Sequence, residues 1–156
     1  MRHTLSVLVQ NESGVLTKIS GLFSGRGFNI ESLTVAPTID TDFSKVTIIT
    51  TGDDKIIEQI CKQLNRLINI IKVVDVTSAN IAERELILIK ISAKSDRSVI
   101  LRTAEMFNAK IVDFTKKSCT LEAMGDENTI KSLIEMLKPH GIKDLVRSGK
   151  VAISLD

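Results

Sequence analysis

Two glycine-bearing turns bracket the first helix this chain can form, and they fix the order of what surrounds it. Thr4 to Val9 is a short, mostly apolar run with strand character. Asn11-Glu12-Ser13-Gly14 breaks it, and Val15, Leu16, Ile19, Leu22 and Phe23 then fall on one face of a helix. Asn11 or Ser13 is placed to cap the helix start, and Gly25 or Gly27 to end it. Asn29 to Val35 is a second strand. A mostly polar loop follows from Ala36 to Asp42, its beginning marked by Pro37, which cannot donate to a ladder. Ser44 to Thr51, rich in β-branched residues, is a third strand. Gly52-Asp53-Asp54 caps a second helix with an apolar stripe at Ile56, Ile57, Ile60, Leu64 and Leu67, and Ile70 to Val76 is a fourth strand. Strand, helix, strand, strand, helix, strand is the split β-α-β pattern of the ferredoxin-like fold, an α+β class.

The second half repeats much of this order. Glu85 to Ala93 is a strand. Ser95 or Asp96 caps a helix carrying Val99, Ile100, Met106 and Phe107. Lys110 to Thr115 and Ser118 to Met124 are strands joined by a tight turn at Lys116-Lys117. Gly125-Asp126 caps a helix with Ile130, Leu133, Ile134 and Leu137, which Pro139 and Gly141 stop. Ile142 to Arg147 and Lys150 to Leu155 are two final strands around Ser148-Gly149. The chain therefore divides into domains over 1–78 and 79–156, joined near 77–83. The second is an α/β sandwich of related topology, sharing little sequence with the first.

Helices on one side of each antiparallel sheet leave the other face open, to be polar or covered. Segments such as Val46-Thr47-Ile48-Ile49 put apolar residues on both faces. A homodimer, with sheets paired edge to edge or face to face, is the simplest cover.

Several functional classes are disfavoured. Net charge is +2 with scattered basic residues, and there is no Trp or Tyr. That argues against a nucleic-acid surface, which needs a basic patch and stacking aromatics. No apolar run approaches the roughly 20 residues that span a bilayer, and no signal peptide precedes the first strand. Cys61 and Cys119 are far apart, as expected of reduced thiols in a cytoplasmic or plastid-stroma compartment. His3 and His140 lack ligand-spaced companions and read as surface or capping residues. Paired acids such as Asp53-Asp54 and Asp126-Glu127 sit at helix starts and complement the helix dipole. Ser13 and Ser32 have no companion base. No catalytic, metal or cofactor residue is therefore expected in this chain.

Binding is another matter. Gly14 opens a helix where backbone N–H groups point outward, and a side chain there would block a ligand's approach. Asn29, opening the second strand, offers an amide that can accept from an ammonium or donate to a carboxylate. An ordinary turn role for both residues fits the pattern equally.

The runs Leu5-Ser6-Val7-Leu8-Val9, Asn11-Glu12-Ser13-Gly14-Val15-Leu16, Gly21-Leu22-Phe23-Ser24 and Arg26 through Thr38 closely resemble the small, regulatory subunits of acetolactate synthase. The likeness continues through Thr47-Ile48, Gly52-Asp53, Glu58-Gln59-Ile60 and Lys62-Gln63-Leu64, then Glu83-Arg84-Glu85-Leu86 and Arg147-Ser148-Gly149. The run Asn29 to Val35 is the most specific to that family. The resemblance implies an amino-acid-sensing ACT domain in the first half. It implies a non-catalytic subunit that activates a separate large subunit and binds L-valine for feedback inhibition in branched-chain amino-acid biosynthesis. Thiamine diphosphate, Mg2+ and FAD would be carried by that large subunit. It also implies a homodimer with effector sites at the interface: Asn11, Ser13, Gly14, Val15 and Leu16 of one chain facing Asn29 and Ile30 of the other, with Leu16, Ile30 and Val35 enclosing a branched side chain. The rival readings are an ACT-type sensor serving another enzyme or a regulator, and a small acylphosphatase-like enzyme. The latter would need a phosphate-cradling loop with an arginine, which the 11–16 turn lacks.

Overall fold

The computed structural model describes residues 1–156. They form two compact units: Met1–Ala82 together with Lys150–Asp156, and Glu83–Gly149. The sequence groups 79–156 together, whereas residues 150–156 lie with the first unit.

The first unit contains β1 (Arg2–Gln10), α1 (Val15–Gly25), β2 (Ile30–Pro37), β3 (Phe43–Thr51), α2 (Asp54–Asn65) and β4 (Ile70–Asp75). Its antiparallel sheet has the order β2-β3-β1-β4. Alternation along β1 sends Leu5, Val7 and Val9 into a core shared with Ile19 and Phe23 of α1 and Ile57, Ile60 and Leu64 of α2.

The second unit contains most of β5 (Ile81–Ser92), then α3 (Arg97–Met106), β6 (Lys110–Phe114), β7 (Ser118–Gly125), α4 (Glu127–Leu137) and β8 (Ile142–Arg147). The order β6-β7-β5-β8 repeats that of the first sheet. Ile87, Ile89 and Ile91 bury one face against Ile100 of α3 and Ile130, Leu133 and Leu137 of α4. On the other face Leu86 stands opposite Met124, and Leu88 opposite Val146. These four are exposed within the unit. A last strand, β9 (Val151–Ser154), belongs to the first unit. No helix is long and apolar enough to cross a membrane.

Local chemistry sets the helix ends. Asp53, Asp96 and Asp126 cap α2, α3 and α4, accepting from the amides of Ile56, Ser98 and Thr129 at 2.9, 2.9 and 2.8 Å. The Ser98 hydroxyl and the Thr129 amide hold Asp96 and Asp126 below the usual carboxylate range. At the end of α1, Gly27 takes φ +72°. Phe28 N donates to Phe23 O at 3.0 Å and Gly27 N to Ser24 O at 3.1 Å, a Schellman ending. Of the two glycines offered by the sequence, Gly27 therefore supplies the left-handed turn, because Gly25 is the last helical residue.

His3 departs from its expected surface role. It is 4% exposed, with Nδ1 2.9 Å from Asp75 Oδ2. Its Nε2 is buried without a hydrogen bond, 3.4 Å from Asp54 Oδ1. β1 carries it between α2 and β4, a long-range placement that no local pattern reveals. Burial raises the Asp75 pKa, but bonds from the Thr77 hydroxyl and amide and from His3 outweigh burial and leave it lowered. The stability Asp75 adds is therefore present above about pH 4 and is lost as pH falls through its lowered folded pKa. Asp75→Asn should lower the urea midpoint at pH 7 and flatten the wild-type loss of stability below about pH 4. Urea titrations across pH measure both effects.

Candidate functional site

β1 ends at Gln10, and the chain must turn before α1 can start. Two distant segments build that turn. From the β2–β3 loop, Asp42 O accepts from Asn11 N at 2.8 Å and Thr41 O accepts from Asn11 Nδ2 at 2.8 Å. From the α2–β4 connection, Asn69 O accepts from Gln10 N at 2.8 Å. Asn69 Nδ2 donates to Glu12 Oε2 at 2.8 Å and to Gln10 Oε1 at 3.2 Å, while Lys18 Nζ donates to Asn69 Oδ1 at 2.7 Å. Asn69 is 7% exposed and joins the turn to the first turns of α1. Sequence reasoning missed it. An asparagine before a strand reads as punctuation, and only the fold brings it to residues 59 positions away.

Neither Asn11 nor Ser13 caps α1, contrary to expectation. The N-cap position is Gly14, with φ +86° and no side-chain hydrogen bond. The Asn11 amide is committed to the β2–β3 loop instead. α1 is therefore the one α-helix of four without a side-chain cap, and no acidic residue occupies its first turn. Its leading N–H groups keep the partial positive charge of a helix start, which favours an anion. A Cβ at Gly14 would meet nothing within 4 Å. The glycine is needed for its torsion, and the space beside it is open.

Asn11, Val15, Leu16 and Val35 border one cavity of about 160 Å³, together with Val9, Glu12, Ile19 and Val46. Ser13 and Gly14 are exposed and do not line it. Its apolar walls come from β1, β2, β3 and α1. Asn29 and Ile30 border a different, open cavity of about 410 Å³ with Phe23, Gly27 and Phe28, at the far end of α1. Eleven helical residues separate the two ends by roughly 16 Å. Within one chain, the structure brings Asn11, Val15, Leu16 and Val35 together and leaves Asn29 and Ile30 apart. Asn29 O accepts from Thr50 Oγ1 at 2.8 Å, which fixes its backbone, and its side chain is exposed. No group of three or more His, Cys, Asp or Glu residues is positioned to hold a metal ion. Burial pushes both free thiols up, with the charge of Asp75 adding to the effect at Cys61.

The sequence matches known families along nearly its whole length. Residues 5–72 match the model of the AHAS small subunit-like ACT domain, and residues 84–156 match that of the small subunit of acetolactate synthase. The chain belongs to the acetolactate synthase small-subunit family. A probable acetolactate synthase small subunit of Archaeoglobus fulgidus is 47% identical over 98% of this chain and 96% of its own length. The acetolactate synthase small subunit of Mycolicibacterium smegmatis is 46% identical over 97% of this chain and 90% of its own length. The crystal structure of the small subunit from Thermotoga maritima superposes with a TM-score of 0.90 at 34% identity, covering 100% of this chain and 98% of that one. Family membership thus extends over both units, and the first carries the ACT fold.

The torsional role of Gly14 has a measurable consequence. Gly14→Ala should cost about 1–2 kcal/mol, because a Cβ is disfavoured at positive φ even where space is free. Equilibrium urea unfolding measures it; an unchanged midpoint would show that the turn relaxes freely.

Proposed function

We infer that this small-subunit family member is a non-catalytic regulator that activates an acetolactate synthase large subunit and binds L-valine for feedback inhibition. The observation carrying this reading is the uncapped start of α1 at Gly14, beside an apolar cavity, in a chain whose other α-helices all have aspartate caps. An amino acid presents a carboxylate for the free N–H groups, and a branched side chain suits walls such as Leu16 and Val35. Glu12 is the one charged side chain bordering the cavity that could pair with its ammonium, and that carboxylate accepts from Asn69.

A second copy of the chain supplies what is missing. β2 is an edge strand of its sheet, able to receive another β2. In this reading Asn29 and Ile30 of one copy reach the Asn11–Leu16 turn of the other, and the Asn29 amide meets the ligand's polar end. A pocket built from two copies links effector binding to dimer geometry. The exposed Leu86, Leu88, Met124 and Val146 on the second sheet fit a chain that works within a larger assembly. Catalysis, on thiamine diphosphate with Mg2+ and FAD, belongs to the large subunit.

Calorimetry with L-valine should give saturable binding to the wild-type chain. Gly14→Asp should reduce it at least about tenfold by placing a carboxylate where the ligand's own must sit, while the neutral Gly14→Asn, equally tolerant of positive φ, retains most of it. Equal loss in both variants would trace the effect to backbone strain, and undiminished binding to Gly14→Asp would sink the site. Alone, the chain should form no acetolactate. Added to its large subunit, it should raise the rate and make that rate sensitive to valine.

A further inference from the structure

Part of the outer face of the first sheet is covered by the chain's own last strand. Leu5 and Val7 of β1 enter the core, so Thr4, Ser6 and Leu8 face outwards. Thr4 and Ser6 are nonetheless buried, because β9 lies against β1 there. Hydrogen bonds within the first unit hold this strap at both ends. Lys150 N donates to Ser32 Oγ at 3.2 Å and Lys150 O accepts from Thr34 Oγ1 at 2.9 Å, while Leu155 N donates to Asn80 O at 2.7 Å.

Between strap and sheet lies a cavity of about 270 Å³, bordered by residues of the first unit alone. Ser6 and Val74 border it from the sheet, Ile153 and Ser154 from the strap. Lys45 of β3 and Lys72 of β4 complete its polar lining. Each lysine is paired directly with Leu8, from opposite sides of β1, so both side chains leave the outer face in one row. Two interstrand steps separate their backbones by roughly 10 Å. Neither lysine forms an ion pair, and no Asp or Glu borders the cavity. Two like charges therefore stand at one opening without a counter-charge.

Ser6 is a second, independent sign. It is 8% exposed, yet its hydroxyl makes no hydrogen bond, whereas those of Ser32 and Thr34 on the same face both do. A buried hydroxyl is normally bonded, and this one belongs to a residue that borders the cavity.

We propose that this cavity binds a small dianion of the phosphate class, carried by inorganic phosphate or by a compact phosphate monoester. The ammonium groups of Lys45 and Lys72 act as point charges for the phosphoryl oxygens, and the Ser6 hydroxyl donates to one of them. Val74 and Ile153 suit a short carbon substituent. The volume lies below the roughly 300–1,000 Å³ of sites for drug-sized molecules, which matches a compact ligand. No residue bordering the effector cavity borders this one, so the proposal is independent of the regulatory reading.

Calorimetry on the full chain in a phosphate-free, low-salt buffer tests it, with inorganic phosphate and glycerol 1-phosphate as the two probes. At least one should bind saturably, and binding should weaken steeply as sodium chloride is added, because both ammonium groups are exposed. Lys45→Gln and Lys72→Gln should each lower affinity about tenfold, and Ser6→Ala about threefold, with urea midpoints near wild type. Lys131→Gln, at an exposed lysine of α4, should leave affinity unchanged. Amide chemical shifts of Ser6, Leu8 and Ser154 should move with the same saturation curve. Tighter binding of the monoester would assign the site to an esterified phosphate, and equal binding to phosphate itself. Absence of binding by both probes, unchanged affinity in the Lys45→Gln, Lys72→Gln double variant, or an equal loss in Lys131→Gln would overturn the site.

Discussion

The first unit depends on β1 being paired along both edges. It meets β3 over every residue from Arg2 to Gln10, and β4 from Leu5 to Val9. With its register fixed on two sides, β1 drives Leu5, Val7 and Val9 into the core and delivers its end, Gln10-Asn11, to one defined place. There the β2–β3 loop and Asn69 grip it. The unusual start of α1 follows. Asn11 and Glu12, which in another setting would compete for the helix start, are held by Thr41 and Asn69. Gly14 then opens the helix with no side chain over its amides.

The same sheet shows how one chain manages an open face. Its inner face is closed by α1 and α2. On its outer face, Ser32 and Thr34 hold the backbone of Lys150, and β9 follows. Hydroxyl-bearing residues are well suited to this, since they satisfy a strap's N–H and C=O without demanding a strand in register. The second sheet carries apolar Leu86, Leu88, Met124 and Val146 on its outward face. Two sheets with the same strand order thus have differently made outer faces, and the difference lies in side chains, not topology.

Much of the fold was legible because it rests on short-range physics. The apolar stripe from Val15 to Phe23, the β-branched run before Gly52 and the aspartates at 53, 96 and 126 each specify their element within a few residues. Asn11, Val15, Leu16 and Val35, each named through family resemblance, border one cavity together with residues that were not named, such as Val9 and Val46. Asn69, the burial of His3 and the return of residues 150–156 were not foreseen. Each depends on contacts dozens of residues apart, between groups whose local sequence looks like turn, terminus or ordinary strand.

By itself, then, the sequence determined the periodicity, the aspartate caps of α2, α3 and α4, the paired α+β units and the glycines at the two ends of α1. Those follow from backbone torsion and side-chain pattern, which act locally. The tertiary structure decided what each polar turn residue is bonded to. It withdrew Asn11 from capping, left the start of α1 to its own amides, and set Asn11 and Asn29 beside different cavities. The physical reason is that a polar side chain takes whichever partner the assembled core presents, and the core is assembled by apolar residues elsewhere in the chain.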